Sequence, residues 1–421
     1  MLSPNPMELK SDPDRTLRGP FLRYMAGETV SMLGTWIQQT AQGWVLAGLT
    51  ASAFTLGTVN FISGAPMLLL SLWAGAVADR VDKRVLLGTV VLLQAAVSVW
   101  LGTRVTAGSI AVWHVAVAGI CLGVTTAFEM PAAAALVPEL VGKDQIRHAM
   151  AIDRAVFHAT RLAGPAVGGW LIASLGTASA FHANAASFLA LLISLATLPP
   201  ASCKPRETAA RENKGVLEGF RHVRSDPPSA AMLLLISQIT LFISPYFMIL
   251  MPLYSRHVLE IGPEQHGLLM GASGGGAFLG ALHLLRIRPE RRSFYLGAAA
   301  TFTSVSMALL SQAHTLSVAL PAIALMTLGN STLFGLANTL VQERAPDPVR
   351  GRVSALAGLS FFGILPFAGL AASKLADSIG LRTAMLSGAC CFAAGSALVL
   401  FRIRHGLGAS RPEPTTDDPA S

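Results

Sequence analysis

Residues 75–84 read GAVADRVDKR: a glycine, three small apolar residues, then two aspartates, two arginines and a lysine within six positions. On one side runs FISGAPMLLLSLWA (61–74), on the other VLLGTVVLLQAAVSVW (85–100), both free of charge. Five charges packed between two charge-free runs make a loop joining two helices that cross a membrane. The rest of the chain supports that solvent. Of 421 residues, 52% are hydrophobic and 13% charged, where a soluble protein carries about 25% charged residues. A fold in water could not hide that much apolar surface, so the bilayer is the solvent.

A spanning helix needs about 20 apolar residues. Twelve runs of that kind lie between charge or turn clusters: 21–48, 54–79, 85–106, 110–137, 148–174, 177–199, 229–254, 264–287, 293–312, 315–341, 350–377 and 380–402. We number them spans 1 to 12. Short turn signals such as LTASAFT, SLGTAS and SIGLR make adjacent spans into hairpins. An even number of spans puts both termini on one side. Of the 31 Lys and Arg, only Arg104, Arg256, Lys374 and Arg382 are assigned to the other side, with Arg154 and Arg161 inside span 5. The positive-inside rule makes the basic side cytoplasmic, which orients a multi-pass membrane protein. The net charge of +8 is thereby an orientation signal, and nucleic acid is not an expected partner.

The predicted organisation is a cytoplasmic N-terminal tail (1–20), a six-span bundle (21–199), a cytoplasmic central loop (200–228), a second six-span bundle (229–402) and a cytoplasmic C-terminal tail (403–421). The polar, Pro-rich N-terminus has no apolar core of a signal peptide. Within the loop, GVLEGFRHVRSD places Val216, Phe220 and Val223 on one helical face, which suits an amphipathic helix on the membrane surface or against the bundle. The halves echo each other: ALVPELVGKDQIRHAMAI (135–152) before span 5 resembles TLVQERAPDPVRGRVSAL (339–356) before span 11. Two related six-span halves are a transporter construction. The four cysteines have no metal spacing, Gly142-Lys143 lacks the surroundings of a phosphate loop, and no metal or cofactor is expected.

GAVADRVDKR matches the signature between helices 2 and 3 of the major facilitator superfamily, with Asp82 where Gly is commoner. Gly75 lets span 2 approach a neighbour closely. Asp79 closes span 2, where the helix dipole disfavours a carboxylate without a partner. The resemblance implies that the start of span 11, around Arg350 and Arg352, supplies that partner when the cytoplasmic side is closed. Arg80, Lys83 and Arg84 belong either to this gate or to a solvated loop that only fixes topology. The second half keeps Gly280 and a basic cluster in GALHLLRIRPERR (280–292) but has Leu284 in place of the aspartate, so its gate is degenerate. SMLGTWIQQTAQGWVLAGLTASAFTLG (31–57), RLAGPAVGGWLIASLG (161–176), NAASF (184–188) and Arg350-Gly351-Arg352 resemble exporters related to the enterobactin and macrolide efflux proteins. That resemblance implies gradient-driven export of a small organic molecule.

Gly164, Pro165, Gly168 and Gly169 in GPAVGG leave a smooth face on span 5 for close helix contact, and resemble an antiporter signature whose earlier Gly is missing here. At about 100° per residue, Glu28, Thr35, Gln38, Gln39 and Gln42 share one arc of span 1. Span 10 carries Thr327, Asn330, Phe334 and Asn338; span 7 carries Ser244; span 4 carries Thr125 and Glu129. Polar stripes facing lipid are costly, and the superfamily lines its central cavity with helices 1, 4, 7 and 10. The stripes therefore suit a cavity for a small amphipathic substrate. Glu129 and Glu28 are the candidate proton carriers, since a carboxylate short of water holds a proton more readily. Arg161 either receives an anionic group of the substrate or pairs with Glu129, whereas Glu28 could snorkel to the interface. The superfamily's usual Arg of span 4 is Gly119 here. The expectation is a monomeric, proton-coupled exporter embedded in lipid; an importer and a non-transporting receptor or scaffold are the alternatives. No enzyme is expected, since no Ser–His–Asp order or metal pair stands out.

Overall fold

The structure, a computed structural model, describes residues 19–141, 143–198 and 216–403. Most of both tails and of the central loop, including Cys203, lies outside them. Spans 1 to 6 are single helices: α1 (Pro20–Leu49), α2 (Ala53–Arg80), α3 (Lys83–Thr106), α4 (Val112–Leu140), α5 (Ile146–Leu175) and α6 (Thr177–Ala196). In lipid, only a helix or a closed barrel satisfies every backbone N–H and C=O internally, and among the described residues the elements are helical. Local chemistry sets their ends. Asp82 caps α3, its carboxylate accepting from the Arg84 N–H at 2.8 Å. Gly176, between α5 and α6, has φ +83°, a turn conformation that a side chain would strain. Gly380, between spans 11 and 12, has φ +84°. The interval between these glycines equals that between the two repeated segments, so the halves turn at matching places.

After the loop, α7 (Val216–Ser225) is the amphipathic helix. It lies against the start of span 11, where Gly219 meets the Arg352 side chain. Val223 is buried whereas Phe220 is exposed, so the bundle is its partner. Span 7 is not the continuous helix expected. It is broken into α8 (Pro227–Phe242), α9 (Ser244–Met248) and α10 (Met251–His257). Pro245 and Pro252 are the cause: each lacks an N–H and starts a new segment. Spans 8 to 10 are α11 (Pro263–Leu284), α12 (Arg292–Gln312) and α13 (Leu316–Arg344). Span 11 is α14 (Asp347–Gly358), a π-helical turn at Leu359–Gly363, and α15 (Leu365–Ile379); span 12 is α16 (Leu381–Ile403).

Nine described helices are long and apolar enough to cross a membrane. The remainder are instructive: α1 and α5 carry the charges and polar stripes, and span 7 is cut short by its prolines.

The chain divides into two compact units. The first comprises residues 1–42 and 63–206; the second comprises 207–421 together with 43–62, the end of α1 and the first part of α2. In the first, Phe21, Tyr24, Leu87, Leu136 and Leu191 bring α1, α3, α4 and α6 into one core. In the second, α11 packs closely on α13: the Cβ positions of Gly276 and Gly280 meet Ala324 O and Leu328 O, and Thr327 donates to Ser273 O at 2.8 Å.

Candidate functional site

The first unit holds the ionisable residues expected to move a proton. Glu28 is 8% exposed, so it is buried and does not snorkel to the interface. Tyr24, one turn earlier, is buried too, and Glu129 and Asp153 lie within electrostatic reach of Glu28. Glu129 accepts from Gln94 Nε2 of α3 at 2.7 Å. Arg161 faces Trp36 of α1 instead of Glu129, its guanidinium 5.8 Å from the ring centroid, with Phe157 on the same ring edge-on. Among the described residues no ion pair joins Arg161 to Glu129, so of the two expectations for Arg161 only the anion-receiving role remains open.

The small residues of span 5 find their partner in α1. A Cβ on Gly164 would overlap Trp36, and one on Gly168 would press on the Ile37 backbone; Pro165 and Gly169 are buried beside them. Span 4 has its own close contact. Gly119 and Gly123 lie against Ser63 of α2, so the superfamily's arginine has no room at Gly119.

The polar stripe of span 1 serves two purposes. Gln38 is buried and accepts from Asn184 Nδ2 of α6 at 2.9 Å, which makes it an internal tie where a cavity wall was expected. NAASF thus finds a use: its Asn184 also accepts from Ser187. Thr35 and Gln42 are half-buried. Thr125 is buried and donates back to Leu122 O. Ser244 is fully buried at the first break of span 7, so it too is a packing residue. On α13, Asn330, Phe334 and Asn338 are half-buried. The Asn330 Oδ1 is buried with no hydrogen-bond partner among the described residues, and Phe334 meets Phe361 edge-on at 5.3 Å. Phe361 lies in the π-helical turn of span 11, a distortion frequent at functional sites. Nothing in LSFFG announces it, because the sequence remains helix-compatible.

The opening stretch divides. Asp79 and Arg80 are exposed, and among the described residues neither joins an ion pair. The Gly75 Cβ position faces open space, so the close approach expected there is not made. Lys83 is 8% exposed and pairs with Glu139 of α4 at 2.8 Å. Arg84 donates to Leu198 O at 2.6 Å and closes on Asp82. Burial pushes the Asp82 carboxyl up, but hydrogen bonds from Arg84 outweigh it and hold the group below the usual carboxylate range. Lys83 and Arg84 are therefore neither solvated charges nor free gate residues; they brace α3 against α4 and the end of α6. Arg350 and Arg352 are on α14, Arg350 exposed and Arg352 half-buried.

The sequence reading missed a carboxylate at the start of α2. Asp377, near the end of α15, accepts from Ser52 Oγ at 2.7 Å and from the Ala53 and Phe54 N–H groups at 2.6 and 3.0 Å. It caps α2 from more than three hundred residues away, within the second unit. Beside it, Gly57 packs on the buried Ser373. The end of α1 is held in the same unit: His257 Nε2 meets Ala47 O at 2.9 Å, the Arg256 guanidinium lies 5.0 Å from the Trp44 ring centroid, and His266 stacks on the same ring at 5.6 Å.

Twelve spans in two repeated halves, with Glu28 buried inside the first of them, are the architecture of the major facilitator fold. Solved structures agree on that fold. A bacterial homologue of the human lysosomal transporter Spinster superposes with TM-score 0.72 at 15% identity, covering 94% of this chain and 98% of that one. The xylose transporter XylE from E. coli gives 0.67 at 13% identity, covering 90% and 95%. Residues 18–415 match the family described as transmembrane secretion effectors, and the chain belongs to it. Its relatives include the multidrug efflux pump Tap of Mycolicibacterium fortuitum (26% identical, 88% of this chain and 93% of that protein). Macrolide efflux protein A of Streptococcus pyogenes is 23% identical over 86% and 90%. The staphyloferrin A transporter of Staphylococcus aureus is 32% identical over 41% and 44%. The chain is a membrane transporter of a small molecule, not an enzyme.

Proposed function

We propose that this protein exports a small amphipathic organic molecule, drug- or siderophore-like, by alternating access, as a proton antiporter working as a monomer. Both termini are then cytoplasmic, as the positive-inside bias argues. The observation that carries the reading is the first unit's two carboxylates within membrane spans, Glu28, which is buried, and Glu129, which is half-buried and held by Gln94. Carboxylates that interact titrate as a coupled set. Arg161, its guanidinium on an aromatic face and without a carboxylate, is available to an anionic group of the substrate. Relatives named as efflux proteins along most of their length favour the outward direction.

Access alternates through two carboxylates, one at each end of α2. Asp79 is the inner one, exposed now and paired when the cytoplasmic side closes. Asp377 is the outer one, engaged now on the start of α2. A contact made in only one state shifts the population toward that state. Thr35 and Gln42 in the first unit, and Asn330, Phe334 and Asn338 in the second, are the residues each unit offers to the substrate.

The test is uptake into inverted membrane vesicles energised by a proton gradient, with macrolides and siderophores as substrates. Glu129→Gln should abolish uphill, pH-driven uptake while downhill exchange persists, and Glu28→Gln should do the same or slow it. If both single variants and the double still concentrate substrate with wild-type pH dependence, the carboxylates are structural. Uptake in right-side-out vesicles alone would mark an importer, and no counterflow at all a receptor or scaffold.

A further inference from the structure

The second half's version of the opening stretch has lost its aspartate yet kept its cations, and the structure shows where they converge. Arg286, Arg288, Arg291 and Tyr295 line a cavity of about 300 Å³ at the junction of α11 and α12. Among the described residues none of these three arginines joins an ion pair. The adjacent Arg292 does, forking onto Glu343 of α13. Glu290, in the same short turn, is exposed and does not line the cavity. Charge that merely orients a loop needs no common target; three guanidinium groups and a phenol on one cavity converge on an anion. The guanidinium fork matches the planar, two-point geometry of phosphate oxygens.

The neighbours of the lining residues point to the source of that phosphate. Leu285, next to Arg286, is 81% exposed and Phe294, next to Tyr295, is 70% exposed; neither lines the cavity itself, but each adjoins a residue that does. A soluble phosphate has no use for apolar side chains next to its site, whereas a phospholipid needs them for its glycerol and first acyl carbons. Basic pockets between spanning helices at the membrane surface take acidic headgroups.

We propose that Arg286, Arg288, Arg291 and Tyr295 form a binding site for the headgroup of an acidic phospholipid, with Leu285 and Phe294 against its chains. The site needs only a membrane surface; that the leaflet is the cytoplasmic one follows from the orientation proposed above.

The experiment is native mass spectrometry of the detergent-purified full-length protein titrated with phosphatidylglycerol, cardiolipin or phosphatidylcholine, with inorganic phosphate and glycerol phosphate as soluble competitors. The wild type should retain the acidic lipids in preference to phosphatidylcholine. At about fivefold per arginine, R286Q/R288Q/R291Q should bind them roughly a hundredfold more weakly. R286K/R288K/R291K keeps the charge that fixes insertion but loses the fork, and should fall between. Leu285→Ser with Phe294→Ser should weaken lipid retention while leaving the arginines in place. Equal retention by wild type and both triple variants, or no preference for acidic over zwitterionic lipid, overturns the proposal. Displacement of the lipid by millimolar inorganic phosphate overturns the lipid assignment and leaves a soluble phosphate site. None of these readouts depends on transport, so they stand apart from the export assay.

Discussion

Replacing Asp377 by Ala removes a carboxylate that accepts three hydrogen bonds at the start of α2, from Ser52 Oγ and the Ala53 and Phe54 N–H groups. An N-cap acceptor is worth about 0.5–2 kcal/mol, and a negative charge at a helix N-terminus adds about 0.3–1 kcal/mol at an exposed site. Asp377 is exposed, so the lower halves of both ranges apply and the two together come to about 1–2 kcal/mol in favour of the latched state. Since every 1.4 kcal/mol is tenfold, opening should become roughly 5 to 30 times more populated. Ser373 reports it, being fully buried against Gly57 beside the latch. In a background lacking Cys121, Cys203, Cys390 and Cys391, Ser373→Cys should react with an impermeant thiol reagent 5 to 30 times faster once Asp377 is Ala, when reclosing outpaces labelling. Asp377→Asn keeps one acceptor and should give a smaller rise. A rate within twofold of the parent refutes the latch. So does an equal rise at Ser187→Cys, which is buried in the first unit and would then report general loosening.

Asp79→Asn should impair transport and raise thiol accessibility on the cytoplasmic side while leaving thermal stability nearly unchanged; unchanged flux and accessibility would make Asp79 a solvated charge. Burial pushes the Asp226 carboxyl up, but hydrogen bonds from Arg344 and Ser229 outweigh it and bring it down to about 2. Because the folded value lies below the unfolded one, its stabilisation of about 2 kcal/mol is present above pH 4 and lost as pH falls toward 2. Thermal unfolding of the purified protein should therefore fall steeply across that window, and Asp226→Asn should lower the neutral-pH midpoint and flatten the acid limb. Single cysteines at Glu207 and Ser179 should be labelled from outside only at Ser179; the opposite pattern would invert the proposed orientation.

Span positions, the repeat and the charge asymmetry were legible in the sequence because each is a one-dimensional property. A bilayer demands runs of fixed length, and the insertion machinery reads cations segment by segment. Polar stripes were legible for the same reason, since helical periodicity alone puts Thr35, Gln38 and Gln42 on one face. Which of them is a tie and which is free was not. Gln38 is a tie only because Asn184 of α6 reaches it, and Ser244 is buried only because Pro245 breaks span 7 there. Lys83 and Arg84 looked like loop charges until Glu139 and the Leu198 carbonyl stood beside them. Asp377 carried no signal at all, being one carboxylate near a helix end, and its meaning comes from unpaired N–H groups at Ala53 and Phe54. Sequence determines which groups need a partner, because burial cost and backbone hydrogen bonding are local; only the packing of helices far apart in the chain decides which partner each one gets.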